Sequence, residues 1–157
     1  MSDIAAQNKE QGGGEKGHNV KSLKDLVHDI GKWREKQEKD INFIIVGVSS
    51  ALPEGKRTQP LVKMIKDSVL SVAIQRSGKA YLLSECDLGL LVKLNETSMT
   101  EVVRDLKVEM LRTFESHFPG IFGTIDQSRL VVSYELKSNY KSAADRVRSY
   151  IKLYRST

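Results

Sequence analysis

Six residues in succession without a polar side chain, Phe43-Ile44-Ile45-Val46-Gly47-Val48, constrain this chain more than any other feature. The run is short, continuous and rich in β-branched side chains, so it reads as a buried strand. Such a strand needs elements with apolar faces beside it, and the flanking sequence supplies them.

Ahead of the strand, Ser22 opens an amphipathic helix over 22–38, with Asp25 three residues on at the positive end of the helix dipole. Leu23, Leu26, Val27, Ile30 and Trp33 recur at helical steps and make one apolar stripe. The loop from Ser49 to Pro60 carries Pro53 and Gly55, and a second helix follows through Leu61, Ile65, Val69 and Val72. Gly78 is expected to end that helix. Tyr81-Leu82-Leu83 and Leu88 to Leu94 flank the polar stretch Ser84-Glu85-Cys86-Asp87, which predicts a β-hairpin with those four residues at its tip. Ser98 with Glu101 reads as a capping box for a helix reaching Phe118, where Pro119-Gly120 stop it. A short edge strand is predicted at Ile121–Ile125, a strand at Leu130–Leu136, and a final helix capped by Ser142 and carrying Ala144, Val147, Ile151 and Tyr154 on its apolar face.

The order is helix, then β-α-β-β-α-β, then helix. Two crossover helices on one face of the sheet predict a ferredoxin-like α+β sandwich with a leading N-terminal helix. Residues 1–20 are polar, with Gly12-Gly13-Gly14 and a single aliphatic residue of note, Ile4, and are expected to be a disordered tail. Residues 21–157 are expected to form one domain.

Composition removes several chemistries. One cysteine, Cys86, leaves no internal disulfide and no cysteine-rich metal site, and the three histidines, His18, His28 and His117, do not pair at metal-ligand spacing. No apolar run nears the ~18–20 residues of a membrane span, and the N-terminus lacks the apolar core of a secretory signal. A cytoplasmic location is therefore expected. The net charge of +5 is unevenly spread: +4 over 51–80, −4 over 81–136 and +5 over 137–157. Solvated helix faces account for charge runs in most proteins; the functional alternative is a basic surface for an anionic partner.

The order of elements and the central hairpin resemble the GGDEF domain of diguanylate cyclases, over about residues 22–155. Strand 43–48 is similar to the first strand of that family. Ser84-Glu85-Cys86-Asp87-Leu88 stands where the family carries its Gly-Gly-Asp/Glu-Glu-Phe signature, and Ser133 on the later strand is placed like a family serine. The resemblance implies a nucleotidyl-cyclase-like fold. The residues that would carry the chemistry differ. The signature glycines and the acid after them read Ser84, Glu85 and Cys86, and the first strand ends in Gly47-Val48-Ser49-Ser50 rather than in a metal-binding aspartate. Phosphoryl transfer needs metal ions that bridge phosphates, and one isolated carboxylate, Asp87, does not make a two-metal site. The inhibitory Arg and Asp two apart are also missing, because Arg76 is followed by Lys79.

The expectation is thus a catalytically inactive GGDEF-like regulatory or protein-interaction module with no cofactor and no membrane contact. It would dock a protein or a second copy through the helix stripe Leu23, Leu26, Val27, Ile30 and Trp33 and through the sheet face. Two alternatives stand beside it. One is a nucleotide sensor without turnover, with Lys56, Arg57 and Asp87 near the ligand. The other is a basic ferredoxin-like nucleic-acid-binding domain, although Phe43 is the one aromatic residue on strands 43–48 and 88–94. Among single residues, Asp87 reads as a solvated hairpin acid, Cys86 as a buried structural cysteine, and Trp33 as a packing residue.

Overall fold

The computed structural model describes residues 20–156, with side chains as far as Leu153. The expected tail falls outside the described residues except for Val20. The elements in chain order are α1 (Leu23–Lys36), β1 (Ile41–Val46), α2 (Val48–Ala51), α3 (Gln59–Gln75), β2 (Lys79–Leu82), β3 (Leu88–Lys93), α4 (Glu96–His117), β4 (Val131–Glu135) and α5 (Leu136–Ser156). The protein is a mixed α+β fold with a four-stranded sheet in the order β2-β3-β1-β4. Every pairing is antiparallel, and β1 lies between β3 and β4, with Ile44 opposite Leu90 on one side and Ser133 on the other.

The apolar run on β1 is continuous because both faces of the sheet are covered. Ile44 and Val46 point to one face, where Leu61, Ile65 and Val69 of α3 and Leu106, Met110 and Phe114 of α4 pack with Leu88 and Leu90. Phe43 and Ile45 point to the other, where Leu26 and Ile30 of α1 and Ala143, Val147 and Tyr150 of α5 meet Tyr81 and Leu83. This second layer corrects the expectation of an available sheet face and stripe. Leu26 and Ile30 are buried in the protein's own core, Leu23 and Trp33 are half-buried, and Val27 alone of the five is exposed. Uncovering a buried leucine to dock a partner would forfeit ~2–3 kcal/mol of burial.

Local capping explains where helices start. Ser22 caps α1 as expected and, beyond that, forms a reciprocal box with Asp25, each backbone N–H donating to the other's side chain at 3.2 and 3.1 Å. At α4 the cap is Asn95, whose side chain accepts from the Ser98 N–H at 2.8 Å, so the helix begins two residues before Ser98. At α5 the helix follows β4 directly at Leu136 and kinks at Asn139, which places Ser142 inside it rather than at its cap. Its buried face is Ala143, Val147 and Tyr150, one position off the predicted stripe, with Ala144 and Ile151 half-buried at the margin. The predicted edge strand at Ile121–Ile125 is a 3₁₀ turn over Ile121–Thr124, entered through Gly120 at φ 88°.

Gly78 follows α3 for a different reason from the one expected. Ser77, not Gly78, holds the left-handed backbone, at φ 57°. A Cβ on Gly78 would stand 2.7 Å from the Leu91 carbonyl oxygen, so its lack of a side chain lets the chain enter β2 tight against β3. The outer edge of β2 is itself met by Lys21, which exchanges backbone hydrogen bonds with Ala80 and Leu82, both at 2.8 Å. Among the described residues, no helix is long and apolar enough to cross a membrane.

Candidate functional site

Three segments converge at the hairpin end of the sheet. The first is the chain leaving β1, which turns through α2 and a 3₁₀ turn over Glu54–Lys56 before Pro60 admits it to α3. The second is the hairpin turn, closed by the Leu83 and Ser84 N–H groups, which both donate to the Asp87 carbonyl. The third is the C-terminal half of α5.

Asp87 joins all three. Its side chain is 1% exposed, which corrects the expectation of a solvated tip. One carboxylate oxygen accepts from the Ser49 N–H at 2.8 Å. The other accepts from the Ser49 hydroxyl and, at 2.8 Å, from the Tyr150 hydroxyl. A buried carboxylate is tolerated only when such donors replace its water shell. Burial, followed by the Asp87 charge, pushes the Tyr150 phenol well above its ordinary value, so it remains a donor. Cys86 beside it is buried too, and burial, reinforced by Asp87, pushes its thiol up to about 11. Such a thiol is a poor nucleophile at neutral pH.

Over this network lies an open groove of about 1150 Å³, walled by Ser49 and Arg57 on one side, Lys63 and Lys66 of α3, and Ser84 and Tyr150 on the other. That exceeds the usual ~300–1,000 Å³ of small-ligand sites. Arg57 is held rigidly: its Nε donates to the Leu52 carbonyl at 2.8 Å and one Nη donates to the Ser49 carbonyl at 2.9 Å. Two of the five guanidinium donors are thereby used, and no carboxylate among the described residues lies within ion-pair distance of it. Glu54, Asp67 and Glu85 line the same groove, so its charge is mixed, and Lys63 is paired with Asp67 at 3.2 Å.

The structure therefore separates the three residues grouped from the sequence. Arg57 faces the groove. Asp87 lies beneath it with both oxygens engaged. Lys56 turns away, with its ammonium 4.6 Å from the Phe118 ring centre. Ser49 and Tyr150 belong to the site and were not singled out, because they sit 38 and 63 residues from Asp87 and carry no local motif. Ser133 does not join this network: it pairs with Ile44 along β4. Among the described residues, no three His, Cys, Asp or Glu side chains are grouped to hold a metal ion. Compared with protein-family models, curated proteins and solved structures, the chain finds no match.

Proposed function

We propose that this chain is a non-catalytic regulatory domain, GGDEF-like and ferredoxin-like in its β-α-β-β-α-β order, that binds a phosphorylated small molecule of nucleotide size in the hairpin groove. The observation that carries the reading is the contrast between Asp87 and Arg57. The hairpin carboxylate is buried and accepts three hydrogen bonds from Ser49 and Tyr150, with the Cys86 thiol 3.8 Å from one of its oxygens, so little of its capacity of about four is left for a metal or substrate. The guanidinium is fixed by two carbonyls and keeps three N–H donors, the geometry suited to a phosphate. A rigid cation beside an open groove favours binding; a spent carboxylate does not favour turnover. The burial of the α1 stripe makes this reading better supported than docking of a protein partner through that helix. A reducing, cytoplasmic setting, where nucleotides are plentiful, fits the same proposal.

The test is an amide NMR titration with GTP and magnesium, then with cyclic di-GMP. Shifts confined to Ser49–Arg57 and Ser84–Asp87, together with at least ~10-fold weaker binding in Arg57→Ala, are expected, since losing a charge-assisted contact costs ~1.5–3 kcal/mol. No shifts, or unchanged affinity in the variant, would refute the groove. Conversion of GTP to a cyclic dinucleotide would refute the non-catalytic reading.

A further inference from the structure

The layer formed by α1 and α5 carries a second feature, remote from the groove. Helix α1 starts beside β2, where Lys21 is bonded to Ala80 and Leu82, and ends with Trp33 stacked on Tyr140 at 5.6 Å and an interplanar angle of 15°. Helix α5 starts near that stack and returns to the hairpin, where Tyr150 reaches Asp87. The two helices therefore lie antiparallel across the sheet, and the end away from the groove gathers exposed cations from both: Lys32, Arg34 and Lys36 of α1, and Lys137 and Lys141 of α5. Arg34 is fixed over the Tyr140 ring at 5.2 Å. None of the five makes an ion pair among the described residues.

Helix stability explains only part of this. Arg34 and Lys36 occupy the last turn of α1, where the dipole favours cations. Lys137 and Lys141 are the opposite case. They flank the kink at Asn139 at the start of α5, whose first turn holds no acid, and the dipole there disfavours positive charge. Acids stand at this end as well: Glu38 is paired with Lys93 at 2.6 Å, Glu135 accepts from the Ser138 N–H and hydroxyl beside Lys137, and Asp40 lies in the turn after α1, so the patch carries a surplus of cations rather than cations alone. Glu35 remains exposed beside the patch. On the opposite layer, α4 carries more acids than bases, and the cations of α3, Lys63 and Lys66, line the groove at the other end of the sheet.

We infer that this patch docks the sugar–phosphate backbone of a nucleic-acid duplex. Charge complementarity supports the occupant. A duplex fits better than a single strand because Trp33 and Tyr140 stack on each other, which occupies the aromatic faces bases would need. It fits better than a bilayer because the apolar stripes of both helices are spent on the sheet. The covered sheet also places the contact on the helices rather than on the strands. Binding would read phosphates, not sequence.

The test is fluorescence anisotropy of a labelled DNA duplex of mixed sequence with the full chain, repeated over a salt series. With about four phosphate contacts, affinity should fall roughly 100-fold between about 50 and about 200 mM salt. Lys137→Glu with Lys141→Glu should weaken binding at least ~10-fold and flatten the salt slope by about two contacts, whereas Lys63→Glu with Lys66→Glu on α3 should not. Circular dichroism checks folding, and Lys137→Gln with Lys141→Gln provides the same comparison without charge reversal. No binding at the lowest salt would overturn the inference. So would equal losses from the α3 pair, or capture by phosphatidylserine vesicles with the duplex left free.

Discussion

Replacing Asp87 with alanine would leave three donors without an acceptor: the Ser49 N–H, the Ser49 hydroxyl and the Tyr150 hydroxyl. Hydrogen bonds to a charged group are worth ~1.5–3 kcal/mol each, and they are not additive within one network. Removing the carboxylate also returns the cost of having buried it, which offsets a large part of the gross sum. A net loss of about 3–4 kcal/mol follows, a substantial share of the ~5–15 kcal/mol that holds a typical domain folded. For a chain of this length it corresponds to a fall in Tm of ~6–16 °C. Tyr150→Phe removes one donor and should cost ~1–2 kcal/mol alone, but little once Asp87 is already alanine. Urea denaturation of both single variants and the double variant gives the coupling directly, expected at about 1–2 kcal/mol. Additive losses, or a drop below ~1 kcal/mol in Asp87→Ala, would show that the carboxylate does not hold the hairpin to α5.

Gly78→Ala should destabilise the protein by ~1–3 kcal/mol by urea denaturation, because the new Cβ would meet the Leu91 carbonyl oxygen at 2.7 Å; an unchanged midpoint would mean that β2 can shift away. Hydrogen bonding by the Ser22 backbone N–H and, second, by the Ser22 side chain holds the Asp25 carboxyl below its ordinary value. Its contribution is therefore complete above the ordinary carboxylate range and lost as pH falls through the lowered value, and in Ser22→Ala, which keeps the backbone N–H donor, the NMR titration of Asp25 should move only part of the way back up. Cys86, buried with its thiol pushed up to about 11, should react with iodoacetamide at pH 8 far more slowly in the native protein than in urea; equal rates would contradict its burial.

The elements whose pattern is local were legible before the structure. Ser22 and Asp25 are three residues apart, and the strands on either side of Ser84–Asp87 are adjacent, so neighbouring residues carried enough information. What the pattern did not show is nonlocal. Alternate side chains of Phe43–Val46 face different helical layers, yet an apolar run reads the same whichever helices cover it. The stripe on α1 looked like a docking face because amphipathicity reports that a face is covered, not by what. Asp87 looked solvated because a polar turn usually is; its burial depends on Tyr150, 63 residues later. The apolar face of α5 was misread by one position for the same reason, since Tyr150 turns inward to reach that carboxylate. At the site, Arg57 was visible as a cation in a Gly/Pro loop, but the carbonyl clamp that rigidifies it belongs to the fold of that loop.

The two-faced burial of β1 has a consequence during synthesis. Helices α3 and α4 both emerge before β4, so one side of the sheet can be covered while the ribosome is still translating. The opposite side, with Phe43, Ile45 and Tyr81, acquires α1 early but waits for Ala143, Val147 and Tyr150 of α5. Until those residues leave the exit tunnel, the nascent chain presents a half-bare apolar surface, with Asp87 at its rim still lacking the Tyr150 donor. A pause in translation before Ala143 would lengthen the time for which that face stays uncovered.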